Sequence, residues 1–192
     1  MNPALATALL VIGLVVSNVV HAHIGIHAEG SFETGLMHPF SGADHMLAMI
    51  AVGMWAAQSG LRTLVTIPAT FVAAMVLGAA LGATGVALPF AEEGIAASVL
   101  MMGLLITFAV RGSWEWAVPL VAVLALFHGY AHGVSLPAFS NPWRYFAGFL
   151  LATIVLHASG IVGAVILRSK ANALRAGGLA ISMAGMWFIL SL

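Results

Sequence analysis

The chain contains no cysteine. That excludes disulfides, thiolate zinc sites, iron–sulfur clusters and thiol nucleophiles together. Any metal has to be held by imidazole, carboxylate, thioether, water or backbone atoms. Charge is almost as scarce. Only 6% of the 192 residues are charged, against about 25% in a soluble domain, too few to cover a surface that faces water. The formal net charge is zero and no basic stripe is present, which argues against a nucleic-acid partner. No Walker motif is present, so the chain itself hydrolyses no ATP. Polar–apolar alternation of the kind that builds membrane β-barrels is absent too. What remains is an all-α polytopic membrane protein, with 62% of its residues hydrophobic.

An apolar run over 5–20 closes on Val20-His21-Ala22, with small residues where a signal peptidase reads them. Residues 1–22 are expected to be a cleaved signal peptide. No basic residue precedes the run, and left uncut it would form a seventh span. Cleavage after Ala22 would start the mature chain at His23, whose free amine and ring can chelate together. Residues 23–192 are expected to form one domain, a bundle of six transmembrane helices near 36–57, 64–83, 94–110, 115–135, 145–167 and 175–192. Each approaches the ~20 residues needed to cross ~30 Å of hydrocarbon. Backbone groups in lipid must bond internally, so the spans are helices. Turn formers fill the connections, among them Ser59-Gly60, Thr84-Gly85, Arg111-Gly112-Ser113 and the stretch 137–142.

With the mature N-terminus outside, the inner loops hold Arg62, Arg111, Arg168, Lys170 and Arg175, and Arg144 alone lies outside. That is a clear positive-inside bias. The outer side carries Glu29, Glu33, Glu92 and Glu93. These either concentrate cations or, for Glu92 and Glu93, complement a helix N-terminus. Glycines four apart, Gly78 with Gly82 and Gly129 with Gly133, suit close helix packing where lipid gives no hydrophobic drive for association. Trp55, Trp114, Trp116 and Trp143 fall near segment ends, as an interfacial aromatic belt requires.

Histidine is what the chain has in excess: eight, against six Lys plus Arg. Ionisable groups inside membrane segments are costly and face a cavity or a partner. His38, Asp44 and His45 lie at the mouth of the first span. On an unbroken helix, positions 38, 42, 45 and 49 share a face, but Pro39 and Gly42 can interrupt it. Asp44 is either a ligand or the group that orients a ligating imidazole. In the fourth span His128 and His132 stand one turn apart on one face. His157 lies in the fifth span. Counting 1.5 Å per residue puts His45 ~14 Å and His128 ~10 Å below the same outer surface, with His157 lower, near the midplane. With His23 and His27 at the mouth, the eight site residues descend from the outer face inward. The alternative for His157 is an interhelical hydrogen bond, and the methionines are core filler. Imidazole and carboxylate without thiolate suit Ni(II), Co(II), Zn(II) or Fe(II). Binding requires neutral imidazole, so it weakens as pH falls through the histidine range. An intramembrane zinc-dependent hydrolase and a haem-binding electron-transfer subunit are the alternatives.

The run from His38 to Met49, His38-Pro39-Phe40-Ser41-Gly42-Ala43-Asp44-His45-Met46-Leu47-Ala48-Met49, resembles the hallmark of the HupE/UreJ family of nickel/cobalt membrane transporters. The histidine-bearing stretch from Phe127 to Gly133 is similar as well. The resemblance implies a cleavable signal, about six spans, and accessory roles for hydrogenase or urease. It also implies that His38, Asp44 and His45 are the functional residues. The resulting expectation is a permease, not an enzyme. It would pass Ni²⁺ or Co²⁺ from the periplasm through the bacterial cytoplasmic membrane, with the ion as cargo and no permanent cofactor. Association into an oligomer, or with hydrogenase or urease maturation proteins, is a further expectation.

Overall fold

A computed structural model describes residues 31–134 and 142–192. The expected signal peptide over 1–22, then His23, His27 and Glu29, and positions 137–141 of the expected turn stretch, lie outside the described residues. Within them the chain forms seven α-helices and no strand. They are α1 (Phe32–Ser41), α2 (Ala43–Ser59), α3 (Thr63–Ala83), α4 (Ala91–Thr107), α5 (Trp114–Val134), α6 (Pro142–Ile166) and α7 (Ala171–Ser191). A 3₁₀ turn, Leu167–Ser169, joins the last two.

Four helices are long and apolar enough to cross a bilayer: Thr63–Ala83, Trp114–Val134, Pro142–Ser169 and Ala171–Ser191. Large apolar side chains lie exposed along them, among them Val65, Leu77, Val123, Ile154 and Leu190, which is the face a lipid tail solvates. The protein is a multi-pass membrane protein. The other two expected spans are shorter. α2 and α4 have 17 residues each, about 26 Å at 1.5 Å per residue. The first span is also divided. Gly42 adopts an extended conformation, φ −104° and ψ 118°, so the chain turns between α1 and α2 instead of continuing one helix.

α2 is the centre of the bundle, packing against α1, α3, α4, α6 and α7. Met49, Ala51, Val52, Trp55 and Ala56 on it are at most 1% exposed. A helix enclosed on all sides is apolar all round, which is why α2 shows no polar face. Around it, the tightest helix pairs are α3 with α5, α4 with α7, and α2 with α6.

The α3–α5 seam is built on glycine. A Cβ on Gly129 would overlap the carbonyl oxygen of Met75, and one on Gly133 that of Ala79. Gly78 and Gly82 meet the carbonyls of Leu126 and Tyr130 in the same way. The two expected glycine pairs are therefore partners across one interface. Overpacking of this kind costs about 1–3 kcal/mol, more than the up to ~1 kcal/mol a helix gains from Gly→Ala. Gly129→Ala is expected to lower stability, measured as the midpoint of unfolding in a detergent titration, while alanine at Gly163, which has open space around it, leaves the midpoint unchanged or raises it.

One tryptophan departs from the aromatic-belt expectation. Trp114, Trp116 and Trp143 are exposed, but Trp55 is fully buried. Its Nε1 donates to the Val110 carbonyl at 2.8 Å, and its ring lies 5.3 Å from that of Trp116. Gly112 donates from its backbone to Ser59 Oγ at 3.0 Å. Arg175 Nε donates to the Thr107 carbonyl at 2.8 Å. Together these bonds tie the end of α2, the α4–α5 connection and the start of α7 into one basic end of the bundle.

Candidate metal site

The site lies at the opposite end. Ser31 caps α1, its Oγ accepting from the Thr34 backbone N–H at 3.1 Å, and Glu33 complements the first turn. His38 then falls in the last turn of α1. The break at Gly42 starts a new helix, which places Asp44 and His45 in the first turn of α2. Asp44 Oδ1 accepts both the His45 backbone N–H, at 2.8 Å, and the His45 ring at Nδ1, at 2.9 Å. A Cβ on Gly42 would stand 2.8 Å from Asp44 Oδ1 and 3.2 Å from His45 Nδ1. Glycine there leaves room for the carboxylate–imidazole pair.

α5 supplies the other half. His128 and His132 are 0% and 1% exposed, presented beside the glycine seam. The His132 ring centroid lies 4.7 Å from that of His38 and 4.7 Å from that of His45. His128 lies 5.0 Å from His45, and His38 and His45 are 6.3 Å apart. Four imidazoles from three helices thus form one edge-to-face cluster. The similar depth counted for His45 and His128 agrees with their contact. Tyr145 and Phe149 of α6 wall the cluster, with Phe149 4.1 Å from His132 and 6.3 Å from His38. From α4, Ser98 Oγ reaches to 2.6 Å of His128 Nε2.

His157 stands apart. It is 3% exposed on α6 and its ring packs 5.1 Å from Phe71, which in turn lies 5.7 Å from His128. An aromatic ring therefore separates the cluster from the deeper histidine. The interhelical hydrogen bond weighed for His157 finds no acceptor or donor at Nε2 among the described residues. His23 and His27 lie outside the described residues.

Several buried ring nitrogens make no hydrogen bond among the described residues: His45 Nε2, His128 Nδ1 and both nitrogens of His132. Leaving one such group unpaired costs about 1–3 kcal/mol. Packing alone gives no reason to collect them in one place, whereas a ligand does. As they stand, no three His, Asp or Glu side chains among the described residues are arranged to hold one ion. Metal–imidazole bonds are about 2.0–2.1 Å long, and rings meeting edge to face have to turn about their side-chain torsions before their nitrogens converge. The cluster is a set of neighbouring imidazoles, not a closed cage. Rings in contact at 4.7–5.0 Å also leave no room for a porphyrin between them, so the haem alternative finds no support here.

Ser98, Phe71, Tyr145 and Phe149 were not legible as site residues. A serine that bonds its own helix is ordinary in a membrane segment, and aromatic residues in apolar runs read as packing.

The sequence profile of the HupE / UreJ protein family matches residues 9–188. The chain belongs to the HupE/UreJ family. That span contains both the His38–His45 run and the His128–His132 pair. A relative of the same family, Protein HupE of Rhizobium leguminosarum bv. viciae, is 45% identical over 174 residues, covering 90% of this chain and 91% of the relative. No solved structure matches the chain.

Proposed function

We propose that this HupE/UreJ protein is a permease that carries Ni²⁺ or Co²⁺ into the cytoplasm through the histidine cluster. The observation that carries the reading is the convergence of His38, His45, His128 and His132 at one end of the bundle, with Asp44 behind His45 and four ring nitrogens unpaired among the described residues. Membership of a family associated with nickel and cobalt uptake supports the cargo. The donor set of imidazole and carboxylate, with no thiolate in the chain, suits those ions.

In this reading α2 and α4 also cross the membrane, giving six spans. α2 does so with α1 as its outer extension, and both short helices are sheathed by longer ones. The basic end of the bundle faces the cytoplasm, by the positive-inside bias of Arg62, Arg111, Arg168, Lys170 and Arg175. The N-terminal side then faces the periplasm of a bacterial inner membrane, with His23 and His27 as the first contacts. The cluster replaces part of the ion's water with imidazole. His157, beyond the Phe71 ring, is the next ligand inward, and bonds along the route are weak enough to exchange. The ion is cargo, and partners such as hydrogenase or urease maturation proteins act after it has crossed.

The test is uptake of Ni²⁺ and Co²⁺ into proteoliposomes by the full chain and by Asp44→Ala. Saturable uptake that Asp44→Ala weakens by about 10–100-fold, the usual effect of losing a group that orients a ligating imidazole, supports the reading. Uptake by Asp44→Ala equal to that of the parent protein, at equal insertion, contradicts it.

A further inference from the structure

Two of the clustered histidines are held from behind by an oxygen, and the two oxygens differ in kind. Behind His45 stands the carboxylate of Asp44, which accepts from Nδ1. His45 therefore keeps its proton on Nδ1 and bares Nε2, the nitrogen that has no partner among the described residues.

Behind His128 stands Ser98, a residue of a helix that contributes no histidine. Ser98 is 1% exposed. Its hydroxyl donates to the Ile95 carbonyl at 2.6 Å, a normal O–H···O length. A carbonyl oxygen can only accept, and a serine hydroxyl has one proton to give. That proton is committed to Ile95. The 2.6 Å contact between Ser98 Oγ and His128 Nε2 is then one in which the ring donates and the hydroxyl oxygen accepts.

We propose that Ser98 is a positioning residue for the ion path: it fixes His128 as the Nε2–H tautomer, so that Nδ1 is the nitrogen this ring offers to the ion. His128 Nδ1 is buried and has no partner among the described residues, and in this tautomer it carries the free lone pair. The cluster thus presents Nε2 from α2 and Nδ1 from α5, each ring oriented by a fixed acceptor. His132, with neither nitrogen bonded among the described residues, stands against His45 on the other side, its ring 4.7 Å away. Fixing the far nitrogen of a ligating histidine sets both its tautomer and its ring angle. In membrane helices serine also serves such interhelical bonds without disturbing the bundle.

The proposal rests on the cluster being an ion path, and two measurements separate it from that reading. The first uses the full chain in lipid, labelled with ¹⁵N-histidine and metal-free, the His128 signals being assigned by their loss in His128→Gln. The expected spectrum has a protonated Nε2 and a bare Nδ1 at His128, and the assignment weakens or reverses in Ser98→Ala. A proton on Nδ1 in the parent protein overturns the proposal, whether or not the protein transports anything.

The second is Co²⁺ uptake into proteoliposomes. Ser98→Ala is expected to raise KM about 10–100-fold, the range for losing such a supporting bond, with a smaller change in the maximal rate per inserted protein. Ser98→Thr, which keeps the hydroxyl, is expected to restore KM to within severalfold. An unchanged KM in Ser98→Ala overturns the proposal. So does equal impairment of Ser98→Thr and Ser98→Ala with the His128 tautomer unaltered in both. Absence of Co²⁺ uptake by the parent protein, with the expected tautomer present, counts against the permease and leaves the role of Ser98 in holding His128 supported.

Discussion

Alanine in place of His132 is expected to reduce nickel and cobalt uptake to background, a loss of at least about 100-fold, beyond the range seen when only an orienting partner is removed. His132 touches two other clustered rings, His38 and His45, both at 4.7 Å. Neither of its nitrogens is held by a structural bond among the described residues. Removing it also opens space against Phe149, 4.1 Å away, so the protein reaching the membrane has to be counted in every assay. His132→Gln keeps most of the volume and separates the two effects. Uptake should fail in both variants, while only His132→Ala loses stability. Full uptake by His132→Gln would remove His132 from the path.

The largest effect on the fold is expected at the other end of the bundle. Trp55→Ala should cost about 3–5 kcal/mol of unfolding free energy, as for other buried Trp or Phe truncations. The ring is completely enclosed, and its loss also leaves the Val110 carbonyl without its donor. Trp55→Phe keeps most of the packing and gives up the hydrogen bond, a loss of about 0.5–1.5 kcal/mol plus the smaller cavity. His45 lies nearly three helical turns along α2 from Trp55, so variant protein that does insert should still bind metal at the cluster. Unfolding by detergent titration together with metal binding distinguishes this structural role from one on the ion path. Equal stability of Trp55→Ala and the parent would mean that the α4–α5 connection is held by other contacts.

Much of this arrangement was legible before the structure, and particular residues show where legibility stops. The helices were readable because lipid leaves the backbone no alternative, and boundaries such as Thr63–Ala83 and Trp114–Val134 lie within one residue of those expected. Counting residues along two helices of opposite direction put His45 and His128 at similar depth; that their rings stand 5.0 Å apart is a fact of tertiary packing that the count did not contain. The outcome at Gly42 did not follow. Pro39 and Gly42 permitted either a continuous helix or a break, and only packing against the rest of the chain decides. Trp55 was misplaced because its position near a helix end suits either the membrane interface or a buried anchor. That choice depends on α2 being the central helix, a fact of tertiary structure. Ser98 was invisible for a similar reason. Its role comes from a partner 30 residues away, and no local pattern marks a serine whose single proton is already committed.

The central claim is that the clustered imidazoles are the ligands of the ion in transit. X-ray absorption at the nickel edge, on the full chain in lipid loaded with one Ni²⁺ per protein, tests it most directly. The account predicts the multiple-scattering signature of imidazole in the parent protein, and a smaller imidazole contribution in His132→Gln. Nickel bound with oxygen ligands alone, or an imidazole signature unchanged in His132→Gln, would contradict it.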